Sequence, residues 1–249
     1  MGSRDGRRRA IVTGAARGIG RAVASRLVAE GVEVLAVDID GERLRHMAGD
    51  GCRVRVVDVA DPEQRQALCG EADGFDYLVN SAGVMRLKSI FEVTVEDWRW
   101  LQTINAESVF FLCQGIGPRL EPGGAIVNLS SSSAKLATTV DVAAYAASKT
   151  AILSITRSFA YALAGRPVRV NAICPGIVDT EMQDAVLKGL ANARGTSVEE
   201  ISRQRNRNVP LDRSASAEEC AGLIWFLLSD EAGYMTGQAI NFTGGMVNW

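Results

Sequence analysis

A chain of 249 residues with a formal net charge of −2 and 47% hydrophobic residues has the composition of a folded globular domain. No basic stripe marks a nucleic-acid partner, and no stretch is long and apolar enough to span a bilayer or to read as a signal peptide. Cysteines 52, 69, 113, 174 and 220 are odd in number and show no C-x-x-C spacing; this argues against a disulfide framework or a zinc site and fits a reducing, cytoplasmic setting.

The apolar run Arg9-Ala10-Ile11-Val12 leads into Thr13-Gly14-Ala15-Ala16-Arg17-Gly18-Ile19-Gly20. An amphipathic helix from about Gly18 to Glu30 follows, with Ala22, Val23, Leu27 and Val28 inward, and then the β-branched run Val32–Asp38. Strand, glycine turn, helix and acid-terminated strand form the setting in which a glycine motif points to dinucleotide binding. Glycines let the backbone approach a pyrophosphate, and free N–H groups at a helix start attract its charge. Asp38 stands where a carboxylate accepts hydrogen bonds from an adenosine ribose and repels a 2′-phosphate. Arg17 favours that phosphate, but the carboxylate is taken as the stronger influence, so the expected cofactor is NAD.

The alternation continues. Cys52–Val59 reads as a third strand ending in Asp58-Val59, and Asp61-Pro62 opens a helix through about Glu71 with Asp61 as N-cap. Asp76–Val79 is a fourth strand, leading into Asn80-Ser81-Ala82-Gly83. One long helix is expected from Glu96 to Gly115, and Ala125–Leu129 is a fifth strand running into the serines 130–133. Tyr145–Ala164 reads as a helix, Val168–Ile173 as a sixth strand closed by Pro175-Gly176, and the segment to about Pro210 as irregular. A helix at Ala217–Leu228 and a strand at Gln238–Phe242 complete the chain. Repeated β-α units with continuously apolar strands imply a parallel sheet covered on both faces, in a single domain spanning residues 1–249.

Tyr145 and Lys149 are four apart and share one helix face. An ammonium beside a phenol lowers the phenol pKa, which makes Tyr145 a candidate general acid/base. His46, the only histidine, is expected on a surface helix away from these motifs, and no metal site is expected.

Several motifs in register give the chain a resemblance to the short-chain dehydrogenase/reductase family over essentially its whole length. They are Thr13-Gly14-x-x-x-Gly18-x-Gly20, Asp58-Val59, Asn80-Ser81-Ala82-Gly83, Asn105, the serine cluster, Tyr145-x-x-x-Lys149, Pro175-Gly176 and Thr180. Asn80-Ser81 departs from the family's commoner Asn-Asn. The resemblance implies a Rossmann-type doubly wound sheet of about seven strands. It also implies that Tyr145 handles the substrate proton, that Lys149 bonds the nicotinamide ribose, and that a serine polarises the substrate oxygen. Asn105 interrupts its helix and holds a water linking Lys149 to solvent. Gly14, Arg17, Gly18, Ile19, Gly20, Asp58, Val59, Asn80, Ala82, Gly83, Pro175, Gly176, Val178 and Thr180 line the cofactor, with Asp58 on the adenine and Thr180 on the nicotinamide amide.

Counting back from Tyr145 by the family's commonest spacing reaches Ser132, whereas counting forward along the fifth strand reaches Ser131. A loop absorbs an extra residue more easily than a buried strand does, so Ser131 is assigned. The substrate wall is expected from Val84–Leu87, Ala134–Ala144 and a lid at about 177–210, mixing Met85, Leu136, Val140, Val142 and Met182 with Thr138, Thr139, Asp141 and Gln183. A small polyol, sugar or hydroxy compound suits the polar members, and a cyclic or aliphatic secondary alcohol suits the apolar ones. An anionic substrate is disfavoured because the family's arginine before the tyrosine is replaced by Asp141-Val142-Ala143-Ala144. The apolar helices at Thr150–Ala164 and Leu223–Leu228 suit subunit contacts, and the resemblance implies that they and the last strand build a homotetramer, with Met246–Trp249 expected to reach toward a neighbouring subunit. An NADPH-dependent carbonyl or 3-oxoacyl-thioester reductase and a silent nicotinamide-binding regulator are the competing readings.

Overall fold

Residues 6–136 and 140–248 are described by the computed structural model. Its strands, in chain order, are β1 (Arg9–Thr13), β2 (Glu33–Asp38), β3 (Cys52–Val56), β4 (Tyr77–Asn80), β5 (Ala125–Leu129), β6 (Arg169–Pro175) and β7 (Ala239–Phe242). They form one seven-stranded sheet in the order β3-β2-β1-β4-β5-β6-β7. Every neighbouring pair is parallel. The helices between them begin with α1 (Gly18–Ala29), α2 (Gly41–Arg45), α3 (Pro62–Gly70), α4 (Val95–Gln102) and α5 (Ser108–Ile116). Then come α6 (Ala143–Leu163), α7 (Glu181–Arg194), α8 (Val198–Asn206) and α9 (Ala217–Leu228).

Alternation along each strand divides the core into two layers. Ala10 and Val12 of β1, Val79 of β4 and Val127 of β5 face one layer, which Val23 and Leu27 of α1 and Ile224 and Leu227 of α9 close. Ile11, Leu78 and Ile126, the intervening residues, face the other, against Leu68 of α3, Leu112 and Ile116 of α5 and Ile152 of α6. Each of these large side chains, fully buried, contributes about 1.5–3 kcal/mol. The single-domain, doubly wound architecture expected from the sequence is the one observed.

Local chemistry sets the helix starts. Asp61 accepts from the backbone N–H of Glu63 and Gln64, with Pro62 at the first helical position of α3. Thr94 with Asp97 and Ser216 with Glu219 form capping boxes for α4 and α9.

The structure departs from expectation in three places. The long helix through Asn105 is split, because Thr103–Glu107 forms a π-helical turn between α4 and α5. The segment expected to be irregular contains α7 and α8, begun by the side-chain caps of Thr180 and Ser197. β3 stops at Val56 rather than Val59. His46 is the C-cap of the short α2. Thr138, Thr139 and Trp249 lie outside the described residues. Strand order reverses between β1 and β4, and in open parallel sheets the crevice beyond such a switch point is where ligands bind.

Candidate active site

A cleft of about 700 Å³ opens at that switch point, within the range of small-molecule and cofactor sites. Gly14 (φ 67°) and Gly18 (φ 54°) turn the loop after β1 through left-handed backbone. A Cβ on Gly14 would lie 2.7 Å from the Ala82 nitrogen, and one on Gly20 2.1 Å from the Gly14 carbonyl oxygen. The Thr13 hydroxyl stitches the two loops together: it accepts from the N–H groups of Ser81 and Ala82, each at 3.2 Å, and donates to the Val79 carbonyl. Gly18, by contrast, would aim a Cβ no closer than 3.4 Å to Thr180 across the cleft, so its backbone can be approached from solvent. This cradle fits a pyrophosphate at the start of α1.

Arg17, Gly18, Ile19, Asp38, Asp58 and Val59 line the end of the cleft beside the glycine loop. The Asp38 carboxylate is fixed by two backbone donors, Ala16 N–H to Oδ2 and Asp40 N–H to Oδ1, both at 3.0 Å. Asp58 accepts from Ala60 N–H at 2.8 Å. Behind that turn, the buried Arg65 of α3 donates to the carbonyls of Val59 (2.7 Å) and Ala60 (3.1 Å), and pairs with Glu107 of the π-helical turn at 2.8 Å. Asn80, expected to line the cofactor, turns into the core: its amide donates to Asn128 Oδ1 at 2.8 Å, and Asn128 donates in turn to Thr156. The parity of β4 accounts for this, because Asn80 follows Val79 and takes the α5–α6 face with Leu78.

At the other end Ser131, Tyr145 and Lys149 are all buried and line the same cleft. α6 places Tyr145 and Lys149 one turn apart, and the turn after β5 delivers Ser131, whose hydroxyl is the polar group that acts on the Tyr145 phenol. Ser132 also lines the cleft, as the first residue of a short 3₁₀ turn, but has no such influence on Tyr145. The expected depression of the Tyr145 pKa is not found. Burial raises the phenol above its ordinary value, and the Ser131 hydrogen bond is the opposing influence. Lys149 Nζ lies 5.8 Å from the tyrosine ring centroid and donates to the Leu129 carbonyl at 2.9 Å, so its bond goes to backbone rather than to the phenol. Burial brings its ammonium down to about 8.

Asn105 is wholly buried in the π-helical turn. Its side chain clasps the backbone of Val84, accepting from N–H at 2.8 Å and donating to the carbonyl at 2.9 Å, and donates to Ser148 Oγ at 3.0 Å. With both donors engaged, the side chain fastens the loop after Gly83 to α6. Gly83 sits directly above: a Cβ there would be 3.2 Å from Lys149 Nζ and 3.3 Å from Asn105 Oδ1.

Pro175, Gly176, Val178 and Thr180 border the cleft beyond β6, and Thr180 also caps α7 by accepting from Gln183 N–H. Of the expected wall, Val84, Met85, Leu136, Val142, Met182 and Gln183 line the cleft, as does Val186 of the expected lid, whereas Val140 and Asp141 do not, Val140 being exposed to solvent. Trp100 and Met246 line it from outside the segments expected to form the wall. Met246 borders the cleft of its own chain; a spacing argument has no means of placing a residue so far from the motifs. Arg205 of α8 also reaches this wall, and its Nη1 is buried without a protein partner. Among the described residues no cluster of His, Cys, Asp and Glu is arranged to hold a metal ion, and no helix is long and apolar enough to cross a membrane.

Residues 14–247 match the family model described as Enoyl-(Acyl carrier protein) reductase. Dehydrogenase/reductase SDR family member 6 of Xenopus laevis is 34% identical over 98% of this chain and 99% of its own length. The D-threitol dehydrogenase of Mycolicibacterium smegmatis is 37% identical over 95% of this chain and 91% of its own. A solved structure of a short chain dehydrogenase family protein from Francisella tularensis superposes with a TM-score of 0.90 at 30% identity, over 96% of this chain and 98% of that one.

Proposed function

The chain belongs to the short-chain dehydrogenase/reductase family of NAD(P)-dependent oxidoreductases, and on that premise we propose that it interconverts a secondary alcohol and its ketone with NAD. The substrate is a small polyol, sugar or hydroxy compound. The observation that carries this reading is the convergence of Tyr145, Ser131 and Lys149, all buried, on a cleft whose far end presents Asp38 beneath a glycine loop.

Each residue has a role its surroundings support. Gly14, Gly18 and Gly20 admit the pyrophosphate to backbone; Asp38 receives the adenosine ribose; Asp58 and Val59 border the adenine; Thr180 and Val178 border the nicotinamide. When bound, the nicotinamide supplies the hydride acceptor or donor. Tyr145 moves the proton at the substrate oxygen, as acid in reduction and as base in oxidation. Ser131, the hydroxyl that acts on that phenol, orients the same oxygen. Lys149, about 8 in pKa, supplies positive charge beneath the site. The unpartnered Arg205 Nη1 favours a substrate with an acceptor oxygen some atoms away from the carbinol, since a buried donor left unpaired costs about 1–3 kcal/mol. D-Threitol, the substrate named for the Mycolicibacterium relative, has this character.

Of the residues expected to join subunits, Ile152 is buried in the core while Tyr161 is 91% exposed. Phe110 and Phe111 of α5 and Trp98 of α4, on helices packed against α6, add exposed apolar surface. A homotetramer in the cytoplasm is the assembly proposed, and light scattering after size exclusion tests it: a monomer at micromolar concentration refutes it. The activity is tested by screening polyols, sugars and hydroxy compounds with NAD and with NADP. Turnover with NAD that Tyr145→Phe lowers by orders of magnitude is expected. Full turnover in Tyr145→Phe, or no turnover on any secondary alcohol, overturns the reading. Asp38→Ser should move the cofactor ratio toward NADP.

A further inference from the structure

Glu181, the first residue of α7, meets two guanidinium groups on the opposite lip of the cleft. Its Oε2 lies 2.6 Å from Arg43 Nη1 on α2 and 3.4 Å from Arg17 Nη1 in the glycine loop, and its Oε1 lies 2.9 Å from Arg43 Nη1. The pairing holds the Glu181 carboxyl below its ordinary value and the Arg43 guanidinium above it. All three side chains are about half exposed, and surface ion pairs contribute little to stability, so fold stability does not explain the trio.

Its location does. Arg43 also lies 3.5 Å from Asp40, and Asp40 N–H bonds Asp38, so the arginine sits at the lip where Asp38 would receive the adenosine ribose. A phosphate on the 2′-oxygen of that ribose would arrive beside Arg17 and Arg43, and planar, permanently charged guanidinium groups are the natural partners of a phosphate. With Asp38, Asp40 and Glu181 present, carboxylates at this lip outnumber the two arginines by one; without Glu181 the charges balance. On the reading that the cleft binds a nicotinamide dinucleotide, we propose that Glu181 is a cofactor-selectivity residue. By engaging Arg17 and Arg43 from across the cleft, it withholds both cations from a 2′-phosphate and so reinforces Asp38.

Both dinucleotides share the pyrophosphate, so the ratio of their affinities isolates the contribution of the extra phosphate. Fluorescence titration of the full chain with NADH and NADPH needs no substrate. Glu181→Gln should shift the affinity ratio toward NADPH by about three- to ten-fold at low salt, one charge acting across water, and the shift should shrink at about 0.5 M salt. Adding Arg43→Gln to Glu181→Gln should remove most of the gain. An unchanged ratio overturns the proposal, as does equal tightening of both cofactors, which would mean that Glu181 acts only on the shared pyrophosphate. Wild-type chain that binds neither dinucleotide would remove the functional reading itself, and the selectivity role with it.

Discussion

Replacing Asn105 by Ala tests the link between the π-helical turn and the catalytic floor. The side chain makes three hydrogen bonds in a fully buried site, two to Val84 backbone at 2.8 and 2.9 Å and one to Ser148 Oγ at 3.0 Å. Truncation leaves the Val84 N–H and carbonyl and one Ser148 lone pair without their partner. Each orphaned buried group costs about 1–3 kcal/mol, and partial relaxation or penetrating water recovers some of that, so a total of about 3 kcal/mol is expected. Ser148→Ala removes only one of the three bonds and should cost about 1 kcal/mol, although it also releases the Tyr145 carbonyl from the Ser148 hydroxyl. Urea unfolding followed by circular dichroism gives both values, and turnover of the folded fraction should fall in Asn105→Ala as the loop after Gly83 loosens above Lys149. A loss of stability under about 1 kcal/mol with normal turnover would refute the reasoning. Val84 would then have to be held by its surroundings rather than by the amide.

Burial holds the Tyr145 phenol above its usual pKa, so the residue is protonated at neutral pH. Alcohol oxidation, which needs the phenolate, should therefore still be rising at about pH 8, where Lys149 titrates, while ketone reduction, which needs the phenol, is flat there and falls at higher pH; pH–rate profiles in both directions check this, and an oxidation rate that falls with pH through this range contradicts it. Ser131→Ala should lower turnover by orders of magnitude with Ser132→Ala nearly unaffected, because Ser131 is the hydroxyl that opposes the rise of the Tyr145 pKa and Ser132 has no such influence; steady-state kinetics of the two variants decide, and the reverse result transfers the role to Ser132. Arg65→Met should raise the Kd for NADH by about ten-fold, since it withdraws charge-assisted bonds of about 1.5–3 kcal/mol in all from the Val59–Ala60 turn. Its kcat at saturating cofactor should change much less, and an unchanged Kd measured by fluorescence titration would separate the turn from the guanidinium.

Much of the fold was legible because the parallel strands are continuous apolar runs between glycine or proline turns. Ala125–Leu129 and Ala217–Leu228 have the expected bounds. The helix-breaking character of Asn105 was also readable, but not the form of the break, which depends on the Val84 backbone from a loop 21 positions away. α7 and α8 escaped because they bury few residues and so lack a broad apolar face: Val186, Leu187 and Ala191 in one, Ile201 in the other. Thr180 and Ser197, each with an acidic residue in the turn that follows, were the available signals of their starts. The pairing of Tyr145 with Lys149 could be read from their spacing. The electrostatic balance could not, because spacing conveys adjacency whereas the phenol responds to how much water the completed fold removes. Asn80 shows the same limit, since a motif fixes a backbone position and strand parity decides which way the side chain turns.

The wider turn at Thr103–Glu107 has an architectural consequence. It acts as a phase marker in what is otherwise a single rod from Val95 to Ile116. Excising one residue there would restore ordinary winding and rotate the rod's two halves against each other by about 100°. With the C-terminal half anchored in the core, Trp100 would swing off the cleft wall and Asp97 away from Arg86 and Lys88. The cleft wall at Trp100, the Arg65 prop under the Val59–Ala60 turn and the outward phenylalanines of α5 thus take their relative angle from one five-residue insert. A deletion scan across it would act less as a local lesion than as a change of gear for the whole molecule.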